Sequence, residues 1–236
     1  NFSFGELSDL MTYARAKGRK VYVTFNTLLT DAELEDAIER LAVLNELSPD
    51  ALIVQDLGLV RKIRRAVPPI ALHASTQTSC HTPAGVRALK EAGFSRVVLA
   101  REMDLESIRE CAGLGPELEV FVHGALCVAC SGQCLFSSLV GARSGNRGRC
   151  AQPCRLRYRM DGKEGHLLST KDLCSINSLE ALRDAGVDSF KIEGRLKRPE
   201  YAAVVSNVYS KVLREKRQPT PSEMEQLERE RKGKEE

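Results

Sequence analysis

Strand-length apolar runs take turns with helical stretches along most of this chain, and few folds accept that order. The runs are Lys20–Asn26, Ala51–Gln55, Ile70–Ser75, Arg96–Ala100, Leu118–His123 and Ser189–Glu193. Helical patterns lie between them. Ser3-Phe-Gly-Glu6 and Thr30-Asp-Ala-Glu33 read as capping boxes, the second opening Asp31–Leu47 with Leu34, Ile38, Leu41 and Leu44 on one face. Leu57–Ala66, Pro83–Ala92, Leu105–Ala112 and Ile176–Ala185 follow. Runs that are apolar nearly throughout predict a parallel sheet covered on both faces. Repeated βα units predict an α/β fold, either a (β/α) barrel or a doubly wound sheet. A closed barrel has eight strands. Six are legible here, so the expectation is a partial (β/α) TIM-like barrel with the first one or two βα units missing.

The expected division is a barrel-like domain over 1–198, interrupted by a Cys-rich insertion at 125–165, then a C-terminal helix and charged tail over 199–236. Pro199 suits a first helical turn, and Tyr201, Val204, Val205, Val208 and Val212 make a buried stripe. From Pro219 onward the pattern predicts a solvated helix or frayed tail. No apolar run approaches the roughly 18 residues of a membrane span. No signal peptide precedes Asn1, so a cytoplasmic, reducing setting without disulfides is expected.

Net charge is only +3, too weak to imply nucleic acid by itself. Between Arg143 and Arg159, however, stand six arginines and no acid. That is either a solvated loop or an anion-binding surface, since guanidinium forks match phosphate and carboxylate.

Five of the eight cysteines fall between Cys127 and Cys154, and Cys174 follows. Such density points to a soft metal or an iron–sulfur cluster. Cys127-x2-Cys130 with Cys150-x3-Cys154 offers a four-thiolate zinc site. Four of the six offer a cubane cluster equally well. Free thiols remain the third reading. Cys111 lies in a helical pattern and reads as a small buried hydrophobe.

Polar residues gather where the strand patterns end: Asn26, Gln55-Asp56, His73 to Gln77, Arg101-Glu102, His123-Gly124 and Glu193-Gly194-Arg195. In parallel βα architectures such positions form the functional pocket. The alternative is ordinary loop polarity.

Glu119-Val-Phe-Val-His-Gly-Ala-Leu-Cys127, Ser131-Gly-Gln-Cys134 and Ser144-Gly-Asn-Arg-Gly-Arg-Cys150-Ala-Gln-Pro-Cys154-Arg resemble the signature region of peptidase family U-32. Val21–Asn26, His73–Gln77, Arg96–Glu102, Ser169–Cys174 and Phe190–Arg195 resemble further blocks of that family in its order. The resemblance runs from about Asn1 to Arg214. It implies a 4Fe–4S cluster on Cys127, Cys134, Cys150 and Cys174, with Cys154 as the substitute and Cys130 outside the set. It implies oxygen-independent hydroxylation of an RNA base in tRNA or rRNA, or of a quinone ring, with prephenate as hydroxyl source. It also implies a possible paired subunit of the same family. Glu193 and Arg195 are the leading candidates for substrate positioning, followed by His73 and Gln77. Arg143, Arg147, Arg149 and Arg155 are the candidates for RNA contact.

The family label also implies collagenase-like proteolysis. Yet His-Glu-x-x-His and Gly-x-Ser-x-Gly are both absent, and the nearest Cys–His pairing is His123 with Cys127. A non-catalytic iron–sulfur partner subunit is the third class.

Overall fold

The computed structural model describes residues 2–66, 70–195 and 197–232. Positions 1, 67–69 and 196 of the expected domain, and 233–236 of the expected tail, lie outside them. The order is α1 (Phe4–Ala16), β1 (Tyr22–Phe25), α2 (Asp31–Glu46), β2 (Ala51–Val54), α3 (Leu57–Ala66), β3 (Leu72–Ala74), α4 (Pro83–Glu91), β4 (Arg96–Val98), α5 (Leu105–Cys111) and β5 (Glu117–Gly124). After the Cys-rich segment begins come α6 (Phe136–Gly141), β6 (Tyr158–Met160), β7 (Lys163–Gly165) and β8 (Leu173–Cys174). The chain then runs through α7 (Leu179–Asp184), β9 (Ser189–Ile192), α8 (Pro199–Glu215) and α9 (Pro221–Lys232).

Both predicted capping boxes form. Ser3 Oγ accepts from the Glu6 N–H at 3.3 Å while Glu6 accepts from the Ser3 N–H at 2.7 Å. Glu33 accepts from the Thr30 N–H at 2.8 Å and from its hydroxyl at 2.9 Å. Each box satisfies N–H groups that the first helical turn leaves orphaned.

Strands β1, β2, β3, β4, β5 and β9 lie side by side in that order, all parallel. Strand β8 pairs antiparallel with the end of β5. The order never reverses, as it does at the switch point of a doubly wound sheet. Right-handed crossovers without reversal put the helices on one face, which is the barrel-type solution. Among the described residues β1 and β9 do not pair with each other, so a closed cylinder is not shown.

The helix-covered face carries Leu52, Val54, Leu72, Ala74, Val97, Leu99, Leu118, Val120 and Val122, in one core with Leu41, Leu59, Ile63, Val86 and Ile108 from the helices. Burying each of these Val, Leu and Ile side chains stabilises by roughly 1.5–3 kcal/mol, and Ala74 by less. The other face corrects the expectation of strands apolar on both sides. Register places Tyr22, His73, Arg96, Glu119 and Lys191 there. Glu119 Oε1 meets Lys191 Nζ at 3.0 Å, and Glu119 Oε2 meets Arg96 at 3.1 Å and the Ser189 hydroxyl at 2.9 Å. These charges are tolerated because each is paired. Burial would raise the Glu119 carboxyl, but Lys191, Ser189 and Arg96 together hold it below its ordinary range.

Tyr201, Val205, Val208, Tyr209 and Val212 of α8 join the same core as the strands. The charged end is less solvated than predicted. Leu227 of α9 is buried in that core, and Glu223 pairs with Arg217 at 2.7 Å and Lys211 at 3.6 Å. Among the described residues no helix is long and apolar enough to cross a membrane.

Candidate functional site

The Cys-rich segment leaves β5 and is strapped across the carboxyl ends of the parallel strands. Gly124, at φ +108°, permits the exit, because a Cβ there would overlap the Glu193 carbonyl. Ser131 is the first anchor. Its N–H and hydroxyl donate to the two oxygens of Glu102 at 2.6 and 2.7 Å, and its oxygen accepts from the Arg101 N–H at 3.1 Å. Burial would raise the Glu102 carboxyl, but the Ser131 donors overrule it and the net shift is downward. Gln133 reaches the Gln77 carbonyl at 2.9 Å. Asn146 donates to Gln55 Oε1 at 2.9 Å and accepts from the Leu28 N–H at 3.1 Å. Arg147 forks onto Glu33 at 2.6 and 2.9 Å, which holds that carboxyl down at about 2. Arg195 donates to the Gly148 carbonyl.

This strap brings thiols together. Cys154 lies within the electrostatic reach of Cys127, Cys150 and Cys134. Burial raises the Cys154 thiol, Arg155 opposes, and the three neighbouring sulfurs raise it further. Cys134 and Cys150 meet around Gly145, where an added Cβ would sit 3.6 Å from Cys150 Cβ and 3.7 Å from the Cys134 carbonyl. Their sulfurs accept backbone N–H groups already, from Phe136 at 3.4 Å and Gln152 at 3.3 Å. Cys174 is exposed on β8, its sulfur 3.9 Å from the Tyr209 hydroxyl. Cys130 is exposed, whereas Cys80 and Cys111 are buried. No three His, Cys, Asp or Glu side chains among the described residues form a group that could hold one metal ion.

The predicted arginines divide. Arg155 donates to the Leu126 carbonyl at 2.9 Å and pairs with Asp172 at 3.3 Å. It therefore positions Cys127 through the preceding peptide. Arg147 is spent on Glu33, and Arg143 donates to the Arg149 carbonyl at 3.0 Å. Glu193 is locked between Arg101 at 3.3 Å and the Arg195 N–H at 3.1 Å. Arg101 also lies over the Phe121 ring at 4.0 Å. His73 is in the sheet rather than in the strap, edge-on to Tyr22 at 4.8 Å. His123 Nδ1 bonds the Tyr209 hydroxyl at 3.0 Å, and that hydroxyl donates to the Val122 carbonyl at 2.9 Å. In sequence Glu102 reads only as a strand-end polar residue, and Ser131, Gln133 and Asn146 are not among the predicted site residues. Ser131 and Gln133 each stand beside a cysteine, whereas Asn146 carries only its place in the Ser144-Gly-Asn-Arg147 stretch.

A parallel βα sheet capped by a thiol-bearing strap defines the class. The chain belongs to peptidase family U32, whose sequence model matches residues 1–235. It is 43% identical over 219 residues to the 23S rRNA 5-hydroxycytidine C2501 synthase of Escherichia coli (strain K12), covering 89% of this chain and 33% of that protein. It is 36% identical to tRNA hydroxylation protein P1 of Bacillus subtilis (strain 168), covering 90% of this chain and 54% of that one. A collagenase of Porphyromonas gingivalis (strain ATCC BAA-308 / W83) is 31% identical, with 90% and 56% covered. The chain thus spans between a third and somewhat over half of the length of these relatives. Among solved structures, the U32 peptidase Mk0906 superposes with a TM-score of 0.53 at 14% identity, covering 83% of this chain and 78% of that one. This likeness concerns the fold alone.

Proposed function

We propose that this chain takes part in hydroxylating an RNA base, with a 4Fe–4S cluster held by Cys127, Cys134, Cys150 and either Cys174 or Cys154. The observation that carries the reading is the grouping of thiols on a strap anchored over the strand ends. The names of the two RNA-modifying relatives support the substrate class. Such a cluster, when bound, supplies redox or Lewis-acid chemistry. The chain's own residues do the positioning. Arg155 and Thr170 both donate to the Leu126 carbonyl, at 2.9 and 2.8 Å, and so aim Cys127. Backbone N–H groups hold the Cys134 and Cys150 sulfurs. Glu193, fixed by Arg101, presents a carboxylate beside the strap. Prephenate is proposed as hydroxyl source and a second family member as partner. Peptide hydrolysis draws on the family label and one relative's name, and His123 Nδ1 bonds the Tyr209 hydroxyl.

Mass spectrometry of RNA from a strain lacking the gene tests the reaction: one hydroxyl should vanish from one base and return on complementation. Anaerobic iron and acid-labile sulfide assays test the cluster. Protein with zinc and no sulfide sinks that part of the reading.

A further inference from the structure

We propose that the cleft between the ends of β2 and β3 and the first turn of α4 is a subsite for a pyrimidine base, recognised by the Gln77 carboxamide. The proposal deepens the RNA reading and rests on it for the origin of the base.

The cleft encloses about 610 Å³, within the ~300–1,000 Å³ of small-ligand sites. Its floor is fixed by the Gln77 backbone. The Gln77 carbonyl accepts from Gln55 Nε2 at 3.1 Å and Gln133 Nε2 at 2.9 Å, and the Gln77 N–H donates to the Ser75 hydroxyl at 3.2 Å. The side chain is treated differently. Gln77 Oε1 is shut away from solvent with no partner among the described residues. Leaving such an acceptor unsatisfied is unfavourable, because its lost hydration is not replaced. Turning the carboxamide toward the cleft would relieve that cost and present a donor beside an acceptor. That pair matches the adjacent donor and acceptor on the ring edge of uracil or cytosine, as carboxamides match bases elsewhere.

The walls favour a flat neutral ring. Leu28 and Leu57 line the cleft while 48% and 53% exposed, two apolar surfaces with no covering side chain of their own. No lysine or arginine is among the lining residues, and the one imidazole there, His81, has its Nδ1 engaged with the Ser79 carbonyl at 2.7 Å. The one carboxylate, Asp56, is already occupied by the N–H groups of Leu59 at 2.9 Å and Leu29 at 3.0 Å. A phosphate or dicarboxylate would find no permanent cation here. A pyrimidine would find two apolar surfaces and the Gln77 amide edge, the Gln55 and Gln133 amides being engaged with the Gln77 carbonyl.

The test reads binding, not turnover. The full chain is titrated with a purine-only single-stranded RNA carrying one central uridine, and with the same RNA abasic at that position. Wild type should bind the uridine form ~10-fold tighter, corresponding to about one well-made buried polar contact. Gln77→Leu should bring the ratio close to one, with unchanged circular dichroism. Leu28→Ser, at an exposed position, should lower the ratio without touching the core. Equal binding of both RNAs by wild type overturns the proposal, as does a full ratio retained in folded Gln77→Leu. A lost base preference with the RNA hydroxyl intact would support the subsite and uncouple it from that reaction. An intact preference with no hydroxyl lost from the deletion strain would fail the reaction and leave the subsite standing.

Discussion

A single buried ring shows how local surroundings set chemistry. His73 is 6% exposed, and its Nδ1 has no partner among the described residues. Burial, then the Arg96 charge, push its pKa down to about 4, against the opposing pull of Glu119 and Glu117. A ring that stays neutral through physiological pH is a poor proton donor, which weakens the catalytic expectation for it. The folded value lies below the ordinary one near 6.5, so the unfolded chain takes up the proton first as pH falls. The stabilisation is whole above about pH 6.5 and erodes toward pH 4. Urea melts should show wild type losing ~1–3 kcal/mol more than His73→Phe across that window; parallel curves would contradict this. The fourth ligand of the proposed cluster is decided at the same scale. Cys127→Ser and Cys134→Ser should each abolish bound iron and sulfide, and of Cys154→Ser and Cys174→Ser one should do so while the other retains both. The sequence made the cysteines legible as a group because thiolates at that density have few other uses. It did not make legible which arginines are spent on Glu33 or Asp172, since those partners lie far away in the chain.

The strap is the element whose shape the sequence concealed. The βα units were readable from apolar runs and caps, both local signals. Between Cys127 and Cys174 the path depends on left-handed positions such as Ser131, Ala142 and Gln152. It also depends on a small hairpin, β6 with β7, that has little apolar alternation to announce it. Side chains from distant strand ends fix it instead. Glu102→Gln should loosen Ser131, because a neutral amide replaces a carboxylate taking two short hydrogen bonds. Limited proteolysis between Cys127 and Cys150 should then run about tenfold faster, with the global melting temperature nearly unchanged. Cleavage at the wild-type rate would show that the anchor carries little of the load.

At the scale of the molecule, one core unites the sheet, its covering helices and the charged C-terminal end. Leu227→Ala should therefore cost ~2–4 kcal/mol in denaturant melts, whereas Leu139→Ala, at an 81% exposed position, should change stability by less than about 0.5 kcal/mol. Equal effects would mean that α9 does not dock as described. The strand order also carries a consequence for biosynthesis. Neighbours from β1 to β5 are joined by short crossovers, such as the 23 residues between Arg96 and Glu119. Glu119 and Ser189, on β5 and β9, are 70 residues apart. Closing that longer span costs about 1 kcal/mol more in chain entropy. During translation the first five strands can zip as they emerge from the ribosome, while the sixth must wait for the whole intervening stretch. Until then the flank of β5 stands open, and a nascent chain stalled there is the one most in need of a chaperone.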